Sequence, residues 1–566
     1  MSVATSVFYY VFRAAAISAS ISASVINPLS ATRLRIELNT IVAFACLTAF
    51  MVSSNPPSAI SINSAVGLPL FVMITSPSLD RLSQILLGLF SNHVQYRNSY
   101  YRSSRYVNTS FTEKKSELVS LLEKHIDFSS LISYGFHRAF YSTFGRKHKY
   151  HLESFIKALI LQKLFAFSYD SQLILVLKCS DELRNFCGFD KIPDGSYFTR
   201  FKHKYCDYIT QMFHELVEIT EPICREIDAK KADYLIFDTT GIEPYVTENN
   251  PKFLKTKLKE AKKLSKAYPE YNPYTGVYSM LPETANANPS ARQQYINGHY
   301  CYAHKVGLMT NGIGIIRNIA FFDDDFRKSH PDVVSKKSNN PYLDKEISDS
   351  HSLKPVLSDF FKKHPKLSYS TFLGDAAFDS YDNYTMLKND FSFKRVYIPL
   401  NNRNSKNSDA SFDQHGTPVC PLDKTPFSFL GKSGGKNRSL RFKWVCSKSI
   451  PCGSTRVCTC ETPCTPSSYG KCTYTYPDKN FRMYPGIPRN TEHWDNLYKH
   501  RVYIERTISL LKDCFGLDSL RTHNTLTIKA DVYLAAITQL IGVILAKSLH
   551  ELKLFKSVRK LIKKVS

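Results

Sequence analysis

The chain has 566 residues, 43% of them hydrophobic, and 74 lysines and arginines against 49 acids give a formal net charge of +25. That length excludes one ordinary core and implies two to four domains, and the apolar share is enough to bury them. The charge is too large to be incidental and points to a polyanion, with nucleic acid the first candidate and an anionic membrane surface the second.

Residues 1–105 differ from the rest. Through residue 90 they are rich in Ser, Ala, Ile and Val, and Glu37 and Asp80 are their only carboxylates. The apolar runs Ile41–Val52 and Ala65–Thr75 are shorter than the roughly 18 to 20 residues that span a bilayer, and prolines 28, 56, 57, 69 and 77 interrupt any long helix. Three readings compete: a targeting segment, a weak membrane association, or an extension outside the fold. A secretory signal needs an early positive region, yet Arg13 is the first charge and follows apolar residues. The extension is favoured; a start at Met51 or Met73 would remove much of it.

Residues 106–230 read as a helical N-terminal domain. FTEKKSELVSLLEKHI and HLESFIKALILQKLFAF space their apolar residues as helices do, and Ser171–Leu183 and Tyr208–Ile227 continue the habit. The link LRNFCGFDKIPDGSYFTRFKHKY has turn signals followed by a basic, aromatic-rich start. A plain bundle and a DNA-binding domain are both open on this pattern.

Residues 231–400 change character. Tyr234–Phe237 is an apolar run ended by Asp238 and a Thr-Thr-Gly turn, which predicts a buried strand with a carboxylate at its end. Seven lysines follow between Lys252 and Lys266, either a solvated helix face or a phosphate-contacting arm. HKVGLMTNGIGIIRNIAFF predicts a hairpin turning at Asn311-Gly312. LSYSTFLGDAAFDS predicts a strand ending at Gly374-Asp375, then a helix, and FKRVYIPLN a further strand.

Residues 401–490 form a basic insertion rich in Gly, Ser, Pro and Cys, with 14 Lys plus Arg against 5 Asp plus Glu. Seven of the 14 cysteines lie between Cys420 and Cys472. Cys446, Cys452, Cys458, Cys460, Cys464 and Cys472 are candidate structural Zn²⁺ ligands. Tetrahedral zinc takes four such ligands, but no C-x2-C pair is present, so a β-rich insertion with free thiols is the competing reading. Disulfides are disfavoured in a reducing cytoplasm.

Residues 491–566 return to helix. In YKHRVYIERTISLLK, Tyr498, Arg501, Glu505 and Lys512 fall on one narrow stripe at about 100° per residue, beside the apolar residues Leu497, Ile504, Ile508 and Leu511. A solvated Arg501–Glu505 pair on an amphipathic helix is the plain reading. The tail ends in the basic amphipathic KLFKSVRKLIKKV.

Asp238, Asp375 and Glu505 together have the chemistry of a divalent-metal site. Mg²⁺ or Mn²⁺ prefers hard oxygen ligands, and two such ions about 3.5 to 4 Å apart activate the nucleophile and stabilise the leaving oxygen in phosphodiester chemistry. Rival acids are Asp233, Glu243, Asp323, Asp324, Asp325, Asp379, Asp382 and Glu492.

With these residues in place, the sequence resembles the DDE transposases of bacterial insertion sequences, in the subgroup with a Tyr-x2-Arg-x3-Glu-x6-Lys signature. YKHRVYIERTISLLK matches that signature, IFDTTG and FLGDAAFDS match the contexts of its two aspartates, and the resemblance covers about residues 110–550. It implies an α/β fold: a ribonuclease-H-like catalytic core with a helical N-terminal domain and, here, a Cys-rich insertion. It implies cut-and-paste transposition, with Asp238, Asp375 and Glu505 as catalytic metal ligands and Tyr498, Arg501 and Lys512 on DNA. Expected partners are double-stranded DNA, both element ends and target, and a second copy in a paired-end homodimer, with no small-molecule substrate. Expected localisation is cytoplasmic, at the nucleoid. A nuclease of the same fold without strand transfer and an inactive DNA-binding relic are the alternatives.

Overall fold

The computed structural model describes residues 115–141, 148–296, 299–334, 347–401, 411–435, 438–485, 487–489 and 491–565. The chain divides into two units, Met1–Lys114 and Lys115–Ser566, and every described residue belongs to the second. The expected N-terminal extension, 1–105, lies outside the described residues.

Among the described residues seven helices come first: α1 (Glu117–His125), α2 (Tyr134–Phe140), α3 (Leu152–Leu164), α4 (Asp170–Cys179), α5 (Asp181–Cys187), α6 (Gly195–Lys204) and α7 (Cys206–Ala232). Short polar side chains set several of the starts. The hydroxyls of Ser133 and Ser180 and the carboxylate of Asp194 accept the first free backbone N–H groups of α2, α5 and α6. α5 stops at Gly188, in the left-handed conformation that glycine adopts without strain. α3 is buried on almost every face, as a helix apolar all round must be.

Strand β1 (Tyr234–Ile242) follows, then the lysine helix α8 (Pro251–Ala267), which buries only Ala261. β2 (Thr284–Ala285), β3 (Asn288–Ile296), β4 (His299–Asn311) and β5 (Ile316–Phe321) form a meander. The hairpin turns at Asn311-Gly312 as the sequence predicts, and no larger residue fits at Gly312, where a Cβ would stand 2.7 Å from the Lys231 carbonyl. Helix α9 (Asp349–Lys363), β6 (Thr371–Leu373), α10 (Tyr381–Asn389) and β7 (Arg395–Tyr397) complete the sheet.

The sheet is mixed. Its order is β2-β3-β4-β1-β6-β7, with β5 also paired to β4; β1 runs antiparallel to β4 and parallel to β6, and β6 is parallel to β7. β1 is therefore central, and its alternate residues feed two cores. Tyr234 and Ile236 face one that also holds α3, α7 and the helices after the insertion. Leu235 and Phe237 face the other, against α9 and α10. The N-terminal helices thus share a continuous apolar core with one face of the sheet.

After the insertion come α11 (Glu492–Tyr498), α12 (Val502–Ser509), α13 (Thr525–Ser548) and α14 (Val558–Val565). By length and composition α13 could cross a membrane, but almost all of it is buried among α3, α7 and β5, which makes it the central helix of the core. Asp531 on α13 pairs with Lys163 of α3 at 2.7 Å and Lys202 of α6 at 3.2 Å, and Lys202 also meets Asp170 at 3.1 Å. All but Asp170 are nearly sealed from solvent, so each charge needs its partner.

The insertion builds its own small sheet, β8 (Ser428–Gly435), β9 (Arg438–Val445) and β12 (Cys472–Thr475) in the order β12-β9-β8, and a hairpin, β10 (Ser449–Cys452) with β11 (Thr455–Cys458). Its core is Phe427, Phe442, Trp444 and Tyr484 with Cys420 and Cys446.

Candidate active site

The parallel register of β1 and β6 sets Ile236 beside Leu373. Asp238 and Asp375 each lie two residues further on, so the two carboxylates arrive side by side where the strands end. Asp238 shares the side of Ile236, because side chains alternate along a strand, and this is the side on which α12 packs. Ile504 is fully buried there. Thr507 donates to the Gly314 carbonyl of the β4–β5 turn at 2.8 Å, and Gln539 of α13 donates to the same carbonyl at 2.9 Å. That anchoring delivers Glu505 and Arg501 to the aspartates.

Arg501 stands at the centre. Its guanidinium lies 3.1 Å from Asp238, 3.8 Å from Asp375 and 2.5 Å from Glu505. Its Nε–H is buried with no hydrogen-bond partner among the described residues. Exposure rises outward across the carboxylates, from 16% at Asp238 through 35% at Asp375 to 50% at Glu505, so the cluster opens to solvent on one side.

The electrostatics follow. Burial pushes the Asp238 carboxyl up to about 6; Arg501 opposes the rise, and Asp375 and Asp349 add to it. Burial also pushes the Tyr498 hydroxyl up to about 12, with all three carboxylates acting on it in the same direction and Arg501 against them. Tyr498 is thus a neutral O–H donor beside the cluster at any physiological pH. Its ring lies parallel to Trp494, which packs on Tyr397 of β7.

The motif is not one continuous helix. α11 gives way to a 3₁₀ turn at Lys499–Arg501, then α12, then a π turn at Leu510–Cys514. Tyr498, Arg501 and Glu505 are brought together with Asp238 and Asp375. Lys512 sits on the π turn, where the extra residue rotates it off the α-helical stripe. It pairs with Asp518 at 3.9 Å and lies near Cys301 of β4, further along the sheet edge.

Four of the rival acids have structural partners. Asp233 binds Ser370; Asp379 is buried against Arg482; Asp323 starts the short helix Asp324–Ser329 and pairs with Lys529; Asp324 binds Ser290 and Arg327. One acid absent from the sequence-derived set does belong beside the site. Asp349 accepts from Thr239 Oγ1 at 2.7 Å and pairs with Lys305 of β4 at 2.6 Å, which orients the residue next to Asp238. Its segment, DSHS, carries no pattern that would have marked it.

Among the described residues no three His, Cys, Asp or Glu side chains converge on one point as metal ligands do; the three carboxylates meet around a guanidinium instead. The donor set nonetheless suits a hard divalent cation. It is all oxygen, it is open on one side, and burial holds the carboxyl of its innermost member well above the usual carboxylate range.

Residues 108–204 match the family model described as Transposase domain (DUF772). The match spans α1 to α6 and stops before the sheet. Among solved structures, the chain is similar to the cryo-EM structure of a piggyBac transposase synaptic complex with hairpin DNA, at 10% identity over 80% of this chain and 79% of that one, with a TM-score of 0.33. Comparison with curated proteins returns no match. The match over the first helices and the site at the sheet edge come from different parts of the chain.

The cysteines of the insertion are free thiols, as are the other described cysteines. Cys452 is exposed at the tip of the β10–β11 hairpin, paired across it with Thr455. Cys472 opens β12 opposite Val445.

Proposed function

We propose that the chain is a DNA transposase of the DDE type on a ribonuclease-H-like core. The observation that carries this reading is the gathering of Asp238, Asp375 and Glu505 around Arg501 from two adjacent strand ends and a helix far downstream. A mixed sheet flanked by helices with acids at one edge supports it, as do the transposase-domain match over residues 108–204 and the charge of +25.

Asp238, Asp375 and Glu505 would hold Mg²⁺ or Mn²⁺, whose bound form supplies the Lewis acidity for water to cut at an element end and for the freed 3′-hydroxyl to attack target DNA. The protein's own groups do the rest. Arg501 presents its guanidinium, set among the three carboxylates, to the phosphate beside the scissile bond. Tyr498 donates its O–H to the terminal nucleotides. Lys512 grips the strand further along, and the lysine face of α8 adds contacts to the backbone. Asp349 and Lys305 fix Thr239 and so the backbone at Asp238. The working form is a homodimer that pairs two ends, at the nucleoid in the cytoplasm; no small molecule is a substrate.

The test incubates the protein and its Glu505→Gln variant with labelled DNA that flanks its own gene, with Mg²⁺ or Mn²⁺. Nicked and joined products that need metal and vanish in the variant are expected. Nicks without joints would make it a nuclease. DNA binding without cutting in either protein would refute catalysis and leave a binding relic.

A further inference from the structure

The first helices, the exit of β1 and the loop after α12 meet at one side chain. Arg521 lies between the π turn and α13. Its guanidinium carbon stands over two tyrosine rings, 5.4 Å from the centroid of Tyr169 and 5.0 Å from that of Tyr245. Tyr169 comes just before α4, inside the residues that match the transposase domain. Tyr245 follows the end of β1 at Ile242. All three side chains are exposed, the tyrosines at 41% and 57%.

The backbone around Arg521 is tied down on both sides. Tyr245 N–H donates to the Thr522 carbonyl at 2.9 Å. Asn288 of β3 donates to the His523 carbonyl at 2.5 Å. Before Arg521, the hydroxyls of Ser168 and Ser519 share a hydrogen bond, and Asp518 pairs with Lys512 at 3.9 Å. Together with the two rings, these contacts remove rotamer freedom that a surface arginine otherwise keeps.

A ring face attracts a cation through its quadrupole and leaves the N–H groups of a guanidinium uncommitted. Among the described residues no carboxylate, carbonyl or hydroxyl takes up those of Arg521. By contrast, Arg501 is engaged by three carboxylates and Lys512 by Asp518. Arg521 therefore combines a fixed position, an uncompensated charge and a fork of unused donors, which is what grips two oxygens of one phosphate.

Its place suits a duplex lying on the catalytic edge. Tyr245 is seven residues on from Asp238, so the two stand at most about 25 Å apart. One strand of duplex DNA carries a phosphate about every 3.4 Å along the axis. A phosphate at Arg521 is then within roughly eight nucleotides of one at the carboxylates.

We infer that Arg521, set between Tyr169 and Tyr245, is a phosphate-binding site for the DNA duplex that enters the catalytic edge. The inference rests on the proposed DNA-cutting site and adds a grip at a distance from it. Because Tyr169 belongs to the matched first helices and Arg521 follows the helix of Glu505, a duplex held here touches both parts of the chain at once. The plain alternative is a cation–π cross-link that only ties the helical bundle to the sheet.

The experiment uses the full chain and labelled duplex DNA from the flank of its own gene, with chelator present so that nothing is cut. Arg521→Gln should reduce the slope of log affinity against log salt by about 0.9. A set of duplexes, each with one neutral methylphosphonate, scans both strands. The wild type should lose about threefold or more in affinity at a position within roughly eight nucleotides of the cut, where Arg521→Gln loses nothing further. A variant that melts at a lower temperature but keeps the wild-type salt slope and methylphosphonate profile would show the cross-link alone and overturn the inference. Nicking of the same DNA with Mn²⁺ is scored separately. A wild type with the Arg521-dependent position that never cuts would uphold this site and refute catalysis. Cutting with a profile that Arg521→Gln leaves unaltered would do the reverse.

Discussion

Asp238→Asn should make the metal-free protein more stable at neutral pH while abolishing cleavage. The carboxyl is 16% exposed and its pKa is raised from 3.8 to about 6. A raised carboxylate binds its proton more tightly in the fold, so stability falls as pH rises from below 4 through about 6 and then levels. At about 1.36 kcal/mol per pH unit, ionised Asp238 costs about 3 kcal/mol at pH 7, about 1.6 at pH 5 and about 0.6 at pH 4. Asn stands in for the neutral acid and escapes that cost at every pH. The assay is thermal unfolding of both proteins with chelator at pH 7.5 and 5.0. The variant should melt higher at pH 7.5, and its advantage should fall by about half at pH 5.0. A variant less stable at pH 7.5, or an advantage independent of pH, would refute the claim that burial near Asp375 outweighs the pull of Arg501.

The same shift sets the pH dependence of metal binding: affinity for Mn²⁺, followed by calorimetry, should drop up to about tenfold per pH unit below about 6 and be flat above it. Arg501→Ala leaves the carboxylates without their shared cation, so this midpoint should move to higher pH and metal-free stability should fall by about 3 kcal/mol, with Mn²⁺ restoring part of it; an unmoved midpoint would show that the guanidinium does not act on Asp238. Asp531→Asn strands Lys163 in the core and leaves Lys202 with Asp170 alone, at a cost of about 3 to 5 kcal/mol, and limited proteolysis should then cut first between α3 and α6. Neutralising the exposed Lys252, Lys255, Lys259 and Lys266 of α8 should reduce the slope of log affinity for DNA against log salt by up to about 4; an unchanged slope would make α8 a solvated face.

The legible parts of the sequence were those with a short period or a fixed local chemistry. The apolar run before Asp238, the Asn311-Gly312 turn and the helical spacing of α1 to α7 all report on neighbours a few residues away. Asp238, Asp375 and Glu505 could be proposed together only because each sits in a recognisable local context. What was not legible is contact between distant segments. Asp349 joins the site because α9 begins beside β1 and β4, and nothing in DSHS encodes that. Cys420 shares a small core with Cys446, and Cys460 and Cys464 pack against it, because the insertion folds back on itself. Lys512 is collinear with Glu505 only on a uniform α-helix, and the π turn breaks the period between them.

The long gap between Asp375 and Glu505 is the feature that most needs a physical account, since the site requires both ends of it in one place. The entry and exit of the insertion are clamped. Buried Arg489 donates from Nε to the Ile398 carbonyl at 3.0 Å, reaches the carbonyls of Arg482 and Met483 at 2.9 Å, and stacks near Trp494. Trp494 in turn packs on Tyr397, with centroids 4.9 Å apart. The chain therefore leaves the sheet at Ile398 and returns beside the same residue before α11 begins. Loop-closure cost grows only with the logarithm of length, so once this clamp is made the size of the insertion has little effect on the position of Glu505. Arg482, paired with buried Asp379 a few residues after Asp375, ties the same clamp to the second carboxylate's own turn. The last residues of the insertion thus clamp the catalytic edge, while the part before them builds a small core of its own.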